Sequence, residues 1–175
     1  EVSIMTQRLL ALGTLMAIAT IGAHAQKTYT SASSFLADAK LSYSDDFTSV
    51  ADGAFTGTYT APGGSGLGFD VSATNGLWSV GGGNISTSMA GDSLTVNFTG
   101  GVNMVGGSFW AADMDGVATP GTVTLTFSDG GTYTSTSSAF FGYSNANAWL
   151  TSMTLALDAE YVDGSSFSTY QYGSL

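Results

Sequence analysis

The stretch that decides the fold is residues 121–137, GTVTLTFSDGGTYTSTS. Its first half alternates threonines with three apolar residues, which are Val123, Leu125 and Phe127. A two-residue period of this kind is typical of a strand that buries one face and exposes the other. Asp129-Gly130-Gly131 then interrupts the alternation with glycines, which accept the positive φ angles of a tight turn. The stretch therefore predicts a β-hairpin that joins 121–128 to 131–138.

The same alternation and the same turn residues recur on both sides of the hairpin. The segment DSLTVNFTG, residues 92–100, places apolar residues at alternate positions, and the chain has 24 glycines against two prolines. Frequent Val, Thr and aromatic residues also favour strands. We predict further strands over 41–48, 55–61, 67–72, 76–80, 84–89, 103–112, 139–144, 149–157 and 166–173.

About ten short strands without a charged or proline-rich linker between them indicate one domain. We predict an all-β fold over residues 26–175, a single antiparallel β-sandwich of two sheets with a jelly-roll-like topology. Only SASSFLADAK, residues 31–40, has a helical pattern, with Ser33 or Ser34 as the N-cap. The apolar side of this short N-terminal helix consists of Phe35, Leu36 and Ala39.

Residues 1–25 have the composition of a secretory signal peptide. A short cationic start precedes an apolar stretch, 9–21, and Ala23-His24-Ala25 supplies the small-x-small cleavage signal. The apolar stretch is shorter than the ~20 residues that span a bilayer. Residues 1–4 precede a candidate initiator, Met5, and are either an upstream extension of the reading frame or a gene-calling artefact. The sequence predicts a secreted protein, extracellular or at the cell surface, whose mature chain begins near Gln26 and has no membrane span.

Charge is the most restrictive feature of the composition. The formal net charge is −10, and from residue 41 to residue 175 there is no Lys, Arg or His. Nucleic-acid binding needs cations that replace phosphate counterions. A Ser-His-Asp or Cys-His site needs an imidazole base, and zinc needs His or Cys ligands. The composition therefore excludes nucleic acid as a partner, these forms of nucleophilic catalysis and a zinc site.

The remaining carboxylates, amides, hydroxyls and aromatic rings suit two kinds of ligand. Carboxylate and carbonyl oxygens are the ligands that calcium prefers. Aromatic rings and amides suit neutral sugars, because the apolar face of a sugar ring stacks on an aromatic side chain. The chain has no cysteine, so disulfides do not stabilise it. We expect calcium as the candidate cofactor and a neutral glycan or an extracellular matrix component as the candidate partner.

Five short motifs follow one another along the chain in a recognisable order. They are SASSFLADAK at 31–40, YSDDFTS at 43–49, F-x-x-x-D-x-D-G at 109–116 ahead of the hairpin, AFFGYSNANAWLTSMTLAL at 139–157 and FSTYQYGSL at 167–175. In this order they resemble secreted bacterial β-sandwich proteins of the PEP-CTERM-associated type. The resemblance implies a signal peptide followed by a β-sandwich, and it assigns no activity. It also implies a sorting tail, which would begin after Leu175.

Asp113 and Asp115 are the first candidate site residues. On a strand, residues i and i+2 point to one face about 7 Å apart, within the roughly 6.5–9.5 Å that separate the two carboxyl groups of inverting glycosidases. The two carboxylates could instead belong to a calcium site assembled from distant loops, although DMDG lacks the ligand spacing of an EF-hand. In the third interpretation they cap and solubilise a turn. The sequence leaves all three open.

Further aspartates complete the candidate metal ligands. Asp45 and Asp46 are adjacent, so on a strand they point to opposite faces, and one of them could face a metal ion. A structural calcium that ties the first strand of a jelly roll to the last would join one of them to Asp163. The predicted metal ligands are therefore Asp45, Asp46, Asp113, Asp115 and Asp163. The alternative is an ordinary acidic surface.

The candidate ligand-binding residues are aromatic and amide side chains. Tryptophan rings can stack on sugars, and the segment YSNANAW, residues 143–149, adds a tyrosine and two asparagines beside one of the tryptophans. The predicted set is Trp110, Trp149, Asn145, Asn147 and Tyr143. The alternative is that these aromatics belong to the core, as large aromatics in a sandwich commonly do. We expect at least one of the three tryptophans to be buried.

Together these observations favour a secreted or cell-surface binding or structural domain without catalytic activity. The first expectation is carbohydrate binding with structural calcium. The second is a glycosidase that uses Asp113 and Asp115 as its catalytic carboxylates. The third is a surface-layer, adhesin or biofilm matrix protein without a small ligand.

Overall fold

The computed structural model describes residues 26–55, 58–61, 63, 66–79, 83–157 and 161–172. The predicted signal peptide, residues 1–25, lies outside the described residues. Within the described ranges the helix α1 spans Ala32–Asp38. The strands are β1 Gln26–Tyr29, β2 Ala39–Asp45, β3 Gly53–Phe55, β4 Tyr59–Thr60, β5 Gly68–Ser72, β6 Leu77–Ser79, β7 Asn84–Thr87, β8 Leu94–Val102, β9 Met104–Ala112, β10 Val123–Phe127, β11 Thr132–Ser135, β12 Phe140–Asn145, β13 Leu150–Ala156 and β14 Tyr161–Tyr172.

The strands form two antiparallel sheets. The eight-stranded sheet has the order β1-β12-β9-β14-β7-β6-β3, and β2 pairs with the part of β14 that continues beyond β7. The six-stranded sheet has the order β11-β10-β13-β8-β5-β4. The chain passes repeatedly from one sheet to the other, so most neighbours within a sheet are not consecutive in sequence; the exceptions are β4–β5, β6–β7 and β10–β11.

One hydrophobic core lies between the two sheets and draws side chains from both. Aromatic rings connect the sheets directly. Phe127 of the six-stranded sheet stacks on Tyr143 of the eight-stranded sheet with ring centroids 4.2 Å apart, and Tyr133 stacks on Phe141 at 3.6 Å. Burial of such apolar surface is the main favourable term in folding. The predicted all-β sandwich is therefore confirmed.

The hairpin of residues 121–137 forms as predicted. β10 pairs with β11 from Val123 opposite Ser135 to Thr126 opposite Thr132. The two glycines of the turn have different roles. Gly130 has a φ of +87°, whereas a Cβ on Gly131 would lie 2.5 Å from the hydroxyl oxygen of Tyr143. Gly131 is thus required by the close approach of a side chain from the other sheet.

β1, α1 and β2 form a crossover on the outer face of the eight-stranded sheet. Antiparallel pairings run from β1 to β12, from β12 to β9, from β9 to β14 and from β14 to β2, so β1 and β2 are parallel. The helix begins after Ser31, whose hydroxyl accepts a hydrogen bond from the backbone N–H of Ser34. The predicted N-cap at Ser33 or Ser34 was wrong. The serines offer the same capping chemistry, so residue type alone does not select the cap.

Phe35 fastens α1 to this sheet. Its side chain is 1% exposed and packs with Tyr29 and Met104 in a second, smaller apolar cluster. The ring lies over Gly106 and Gly142, which are opposite each other in β9 and β12. A Cβ would lie 2.5 Å from the Phe35 ring at Gly142 and 2.9 Å from it at Gly106. The two glycines therefore form a notch that the Phe35 ring fills, and the Phe140 ring closes it at Gly106, with its Cζ 2.8 Å from the position of a Cβ there.

Several element boundaries differ from the prediction. α1 is shorter than 31–40, because Ala39 already belongs to β2, and Leu36 is exposed although it was predicted on the apolar side. β14 begins at Tyr161 rather than at residue 166. β1 was not predicted, since QKTY carries no apolar alternation. Among the described residues no helix is both long and apolar enough to cross a membrane.

The substitution Gly142→Ala should destabilise the protein, because its methyl group would collide with the Phe35 ring. Overpacking of a tight site costs about 1–3 kcal/mol. Urea denaturation followed by circular dichroism measures the change in the free energy of unfolding. The effect should shrink in a Phe35→Leu background, where the ring is absent.

Gly68→Ala in β5 is the matched control. Its nearest neighbour would lie 3.4 Å from the new Cβ, an ordinary contact, and its φ is not positive. A glycine replaced by alanine without strain changes stability by less than about 1 kcal/mol and tends to raise it. An equal cost of Gly142→Ala with and without Phe35 would show that the notch does not exist.

Candidate functional site

Asp129, in the turn between β10 and β11, is the centre of a polar network. One carboxylate oxygen, Oδ1, accepts a hydrogen bond from the backbone N–H of Gly131 at 3.0 Å. The other, Oδ2, accepts one from the Tyr143 hydroxyl at 2.7 Å and one from the Asn145 side-chain amide at 2.6 Å. The turn belongs to the six-stranded sheet, and Tyr143 and Asn145 lie on β12 of the other sheet. The network therefore ties the two sheets together at one end of the sandwich.

The strand positions follow from simple alternation. Phe141, Tyr143 and Asn145 lie at every second position of β12, so all three side chains point between the sheets. Phe141 and Tyr143 belong to the core, and Asn145 reaches the same side at the end of the strand. Asn145 is 7% exposed. A buried amide needs hydrogen-bond partners, and Asp129 supplies one.

These hydrogen bonds determine the charge state of the network. Burial raises the pKa of Asp129, but hydrogen bonds from Asn145, Gly131 and Tyr143 outweigh it, so the pKa lies below its ordinary value of 3.8. Burial, followed by the hydrogen bond to Asp129, raises the pKa of the Tyr143 hydroxyl. The carboxylate is therefore ionised and the phenol is protonated across the neutral pH range.

The segment 145–151 is anchored to the same turn at both ends. Asn145 bonds to Asp129, and the backbone N–H of Thr151 donates to Ser128 Oγ at 2.9 Å. Within the segment, the backbone N–H of Asn147 donates to Asn145 Oδ1 at 3.0 Å. The two strands that flank the segment belong to different sheets, so it bridges them. It is therefore held in place without a disulfide or a cation.

Trp149 lies on this anchored segment and points outward. The next residue, Leu150, is buried and pairs with Val102 of β8. Trp149 is 46% exposed, and Asn147 beside it is also exposed. The result is an exposed surface patch with an indole ring and an amide, on a segment whose two ends bond to the turn that carries Asp129. We call this set the 129–149 site, and it consists of Asp129, Tyr143, Asn145, Asn147 and Trp149.

The structure thus brings together four of the five predicted ligand-binding residues. Of the four, Tyr143 and Asn145 support the patch from below, while Asn147 and Trp149 form its surface. Sequence reasoning missed Asp129, which it treated as a turn residue only. An aspartate directly before Gly-Gly in a core hairpin was the available signal, because Gly131 leaves room for a side chain from outside the hairpin.

Trp110, the fifth predicted ligand-binding residue, lies elsewhere. It follows Phe109 in β9, and since Phe109 faces the core, Trp110 faces the outer side of the eight-stranded sheet. Its side chain is 7% exposed, so one tryptophan is buried as expected. Its Nε1 is buried and has no hydrogen-bond partner within the described part of the chain. Trp78 lies on β6 of the same sheet and is exposed.

Asp113 and Asp115 lie in a turn and not on a strand, because β9 ends at Ala112. Asp113 Oδ1 accepts hydrogen bonds from the backbone N–H groups of Asp115 and Val117, both at 3.0 Å. The strand spacing that suggested a catalytic pair therefore does not apply. Asp113 caps its own turn, which was one of the three interpretations left open, and Asp115 is exposed.

Asp45 and Asp46 also make local hydrogen bonds, at the end of β2. The Asp45 carboxylate accepts three hydrogen bonds, from the hydroxyl groups of Tyr43 and Tyr59 and from the backbone N–H of Phe47. Asp46 accepts two hydrogen bonds from Thr48. Asp45 links β2 to β4 and so joins the two sheets, as Asp129 does at another point of the sandwich.

The register of β14 does not bring Asp45 and Asp163 together. Asp45 is opposite Phe167, and Asp163 lies four residues away along the strand, about 13 Å at ~3.3 Å per residue. Calcium ligands all lie within about 2.6 Å of the ion. The side chain of Asp163 is outside the described part of the structure. No group of three acidic side chains suited to a metal ion occurs among the residues whose placement is described.

Comparison of the chain with family models, with curated proteins and with solved structures finds no match in any of the three. The functional argument therefore rests on the geometry of this chain. The resemblance to PEP-CTERM-associated proteins stays a prediction.

Tyr143→Phe should lower the free energy of unfolding by about 1–2 kcal/mol, because it removes a hydrogen bond to a charged acceptor and keeps the ring stack. Urea denaturation at neutral pH measures the loss. Tyr133→Phe is the matched control, since Tyr133 stacks on Phe141 and makes no side-chain hydrogen bond to any described residue. Equal losses in the two variants would contradict the proposed role of Asp129.

The same pair of proteins should differ in pH dependence. A lowered carboxyl pKa contributes stability above the unfolded value, and this contribution is lost as the pH falls through the native value. The unmodified protein should therefore lose more stability between pH 6 and about pH 3 than Tyr143→Phe does. A constant difference between the two proteins over this range would show that the hydroxyl does not act on Asp129.

The predicted structural calcium has a direct thermal test. A ligand that binds only the native state raises the melting temperature by mass action. The melting temperatures measured with added calcium and with a chelator should differ by several degrees if a site is occupied. Identical melting temperatures would show that the protein has no stabilising calcium site. Substituting Asp163→Asn should abolish any such difference if Asp163 is a ligand, whereas Asp52→Asn, at an exposed turn, should not.

Proposed function

We propose that this chain is an exported domain without catalytic activity that binds carbohydrate at the 129–149 site. The observation that carries the proposal is the exposed indole of Trp149 on a segment that the turn at 128–129 anchors at both ends. Export follows from the predicted signal peptide of residues 1–25. The binding site follows from the geometry of the patch.

The side chains of the patch suit both the apolar face and the hydroxyl edge of a sugar ring. An indole ring stacks on the apolar C–H face of a pyranose and buries it. The Asn147 side chain, exposed on the same segment, has both a donor and an acceptor for the hydroxyl groups at the edge of the sugar ring. A few polar groups around an apolar platform provide orientation and specificity.

Preorganisation supports the same conclusion. Binding costs entropy when a loop must be ordered, and a rigid platform lowers that cost. Hydrogen bonds to the segment 145–151 hold it at both ends and in the middle. The aromatic stack of Tyr143 on Phe127 then fixes the base of the site to the core. The two hydrogen bonds to the turn at 128–129 therefore limit the movement of the segment that carries Trp149.

The state of the carboxylate favours binding over catalysis. A general acid in a glycosidase needs a carboxyl with a raised pKa, and the pKa of Asp129 is lowered. Asp113 serves its own turn through two backbone N–H groups. An ionised carboxylate at a rigid surface can instead accept hydrogen bonds from a ligand throughout the neutral pH range.

Trp149→Ala should weaken sugar binding and leave the fold intact, because the ring is 46% exposed and is not part of the core. A screen of soluble oligosaccharides by tryptophan fluorescence, followed by calorimetry on the best ligand, measures the effect. Stacking on one aromatic platform is worth about 0.5–1.5 kcal/mol beyond its buried area. We expect at least a tenfold loss of affinity, which is about 1.4 kcal/mol.

Trp78→Ala is the control for this experiment, since Trp78 is the other exposed tryptophan among the described residues and lies away from the site. It should bind sugar as the unmodified protein does. A loss of binding in Trp78→Ala with normal binding in Trp149→Ala would move the site to the outer face of the eight-stranded sheet. No fluorescence or heat change with any oligosaccharide would overturn the proposal.

A further inference from the structure

We propose that the 129–149 site selects sugars that carry a protonated amine, such as oligomers of glucosamine, over neutral and anionic sugars. This inference rests on the proposed function and deepens it by naming the class of ligand. It follows from the charge of Asp129, from the donors that hold that carboxylate and from the distribution of cations along the chain.

The negative charge of Asp129 is not compensated from within the site. Its three hydrogen-bond donors are a backbone N–H, a phenol and an amide, and all of them are neutral. In the described part of the chain the one ion pair joins Lys27 to Asp38, on β1 and at the end of α1. No Lys, Arg or His occurs after residue 40.

β1 lies beside β12, with Lys27 opposite Ser144, but the Lys27 ammonium is paired with Asp38. A mature chain that begins at Gln26 places its α-amino group on β1 opposite Asn145, so the binding experiment uses that mature chain. A bound ammonium group would supply a positive charge at Asp129 itself.

The carboxylate also has capacity for a further donor. An ionised carboxylate can accept about four hydrogen bonds, and three donors from other described residues bond to Asp129. Asp129 is half-buried, and Gly130 next to it is exposed, so the carboxylate is not sealed beneath the surface. An ammonium group has three donors and no acceptor, which makes it a better partner for this position than a sugar hydroxyl.

The Trp149 ring favours the same ligand for a second reason. The face of an indole attracts cations through its quadrupole, most strongly among the aromatic side chains. A glucosamine ring stacked on Trp149 can therefore gain from its C–H face and from its charge. An N-acetylated sugar keeps the stacking and loses the charge.

The charge of the whole chain acts in the same direction. A formal net charge of −10 produces a negative field that attracts cationic ligands and repels anionic ones. Uronic acids and sulfated sugars are disfavoured by this field. The field alone would attract any polycation, so the specific contribution of Asp129 has to be separated from it by experiment.

Calorimetry with two matched ligands tests the inference. The glucosamine tetramer should bind at least about tenfold more tightly than the N-acetylglucosamine tetramer at low salt, since a charge-assisted hydrogen bond is roughly twice as strong as a neutral one. The preference should fall as salt is raised, and it should disappear when the pH is raised enough to deprotonate the sugar amines. Equal affinity for the two tetramers would overturn the inference and leave the proposed function standing.

Two single substitutions distinguish the contribution of Asp129 from that of the net negative charge of the whole chain. Asp129→Asn and Asp52→Asn each remove one negative charge, but Asp52 lies beside β3, at the far edge of the eight-stranded sheet from β12. Asp129→Asn should remove the preference for glucosamine, and Asp52→Asn should retain it. If both variants lose it equally, the attraction belongs to the whole surface and the inference is wrong.

Measurements on the unmodified protein test the inference even if the Asp129→Asn variant does not fold. If circular dichroism shows that Asp129→Asn is unfolded, the salt and pH dependence in the unmodified protein decides between the outcomes. A preference for glucosamine that persists after deprotonation of the amines would overturn the inference. Binding of neither tetramer, nor of any other oligosaccharide, would overturn the proposed function itself.

Discussion

The carboxylate of Asp129 is the contact on which one end of the sandwich depends. It lies in the turn of the central hairpin and is held by side chains from the opposite sheet, Tyr143 and Asn145. Without it, a phenol and an amide would be buried with fewer partners, which costs about 1–3 kcal/mol for each unsatisfied group. The position of the segment 145–151, and therefore of Trp149, follows from this contact.

The chain achieves this without the disulfides that stabilise many small domains. It has no cysteine, and the ion pair found among the described residues lies at the N-terminal helix. Two aspartates, Asp45 and Asp129, accept hydrogen bonds that connect the two sheets, one from Tyr59 to Asp45 and two from Tyr143 and Asn145 to Asp129. In this chain, hydrogen bonds from neutral donors to carboxylates connect the two sheets. All three described donors to Asp129 are neutral, so the carboxylate keeps its negative charge while it stabilises the fold.

The sequence predicted the fold better than it predicted the site. Apolar and polar residues alternate in 92–100 and 121–137, and this pattern predicted strands. In a strand, side chains at every second position point to one face, so all the apolar residues can be buried together. The position of Asp129 depends on pairing between strands of different sheets, and no local pattern encodes that pairing. Asp113 was predicted on a strand, where it would share a face with Asp115. It lies in a turn, where the same spacing lets its carboxylate accept a hydrogen bond from the backbone N–H of Asp115.

Contacts between distant parts of the chain explain two further differences from the prediction, the position of the helix cap and the presence of β1. Ser31, Ser33 and Ser34 are equivalent as residue types, and the helix cap was decided by where β1 ends and Phe35 must enter its notch. β1 itself has three exposed residues and one buried tyrosine, so it gives no periodic signal. Its place at the sheet edge comes from pairing with β12, more than a hundred residues later in the sequence.

The crossover of β1, α1 and β2 has a consequence for the order of folding. The three strands that separate β1 from β2 in the sheet, β12, β9 and β14, all come from the second half of the chain. Pairings of such long sequence separation form slowly, because the loop must close before the contact stabilises it. When the chain is made from its N-terminus, β1 has no partner until β12 has emerged, and β2 has none until β14 has emerged. The topology therefore delays completion of the eight-stranded sheet until nearly the whole domain has been made.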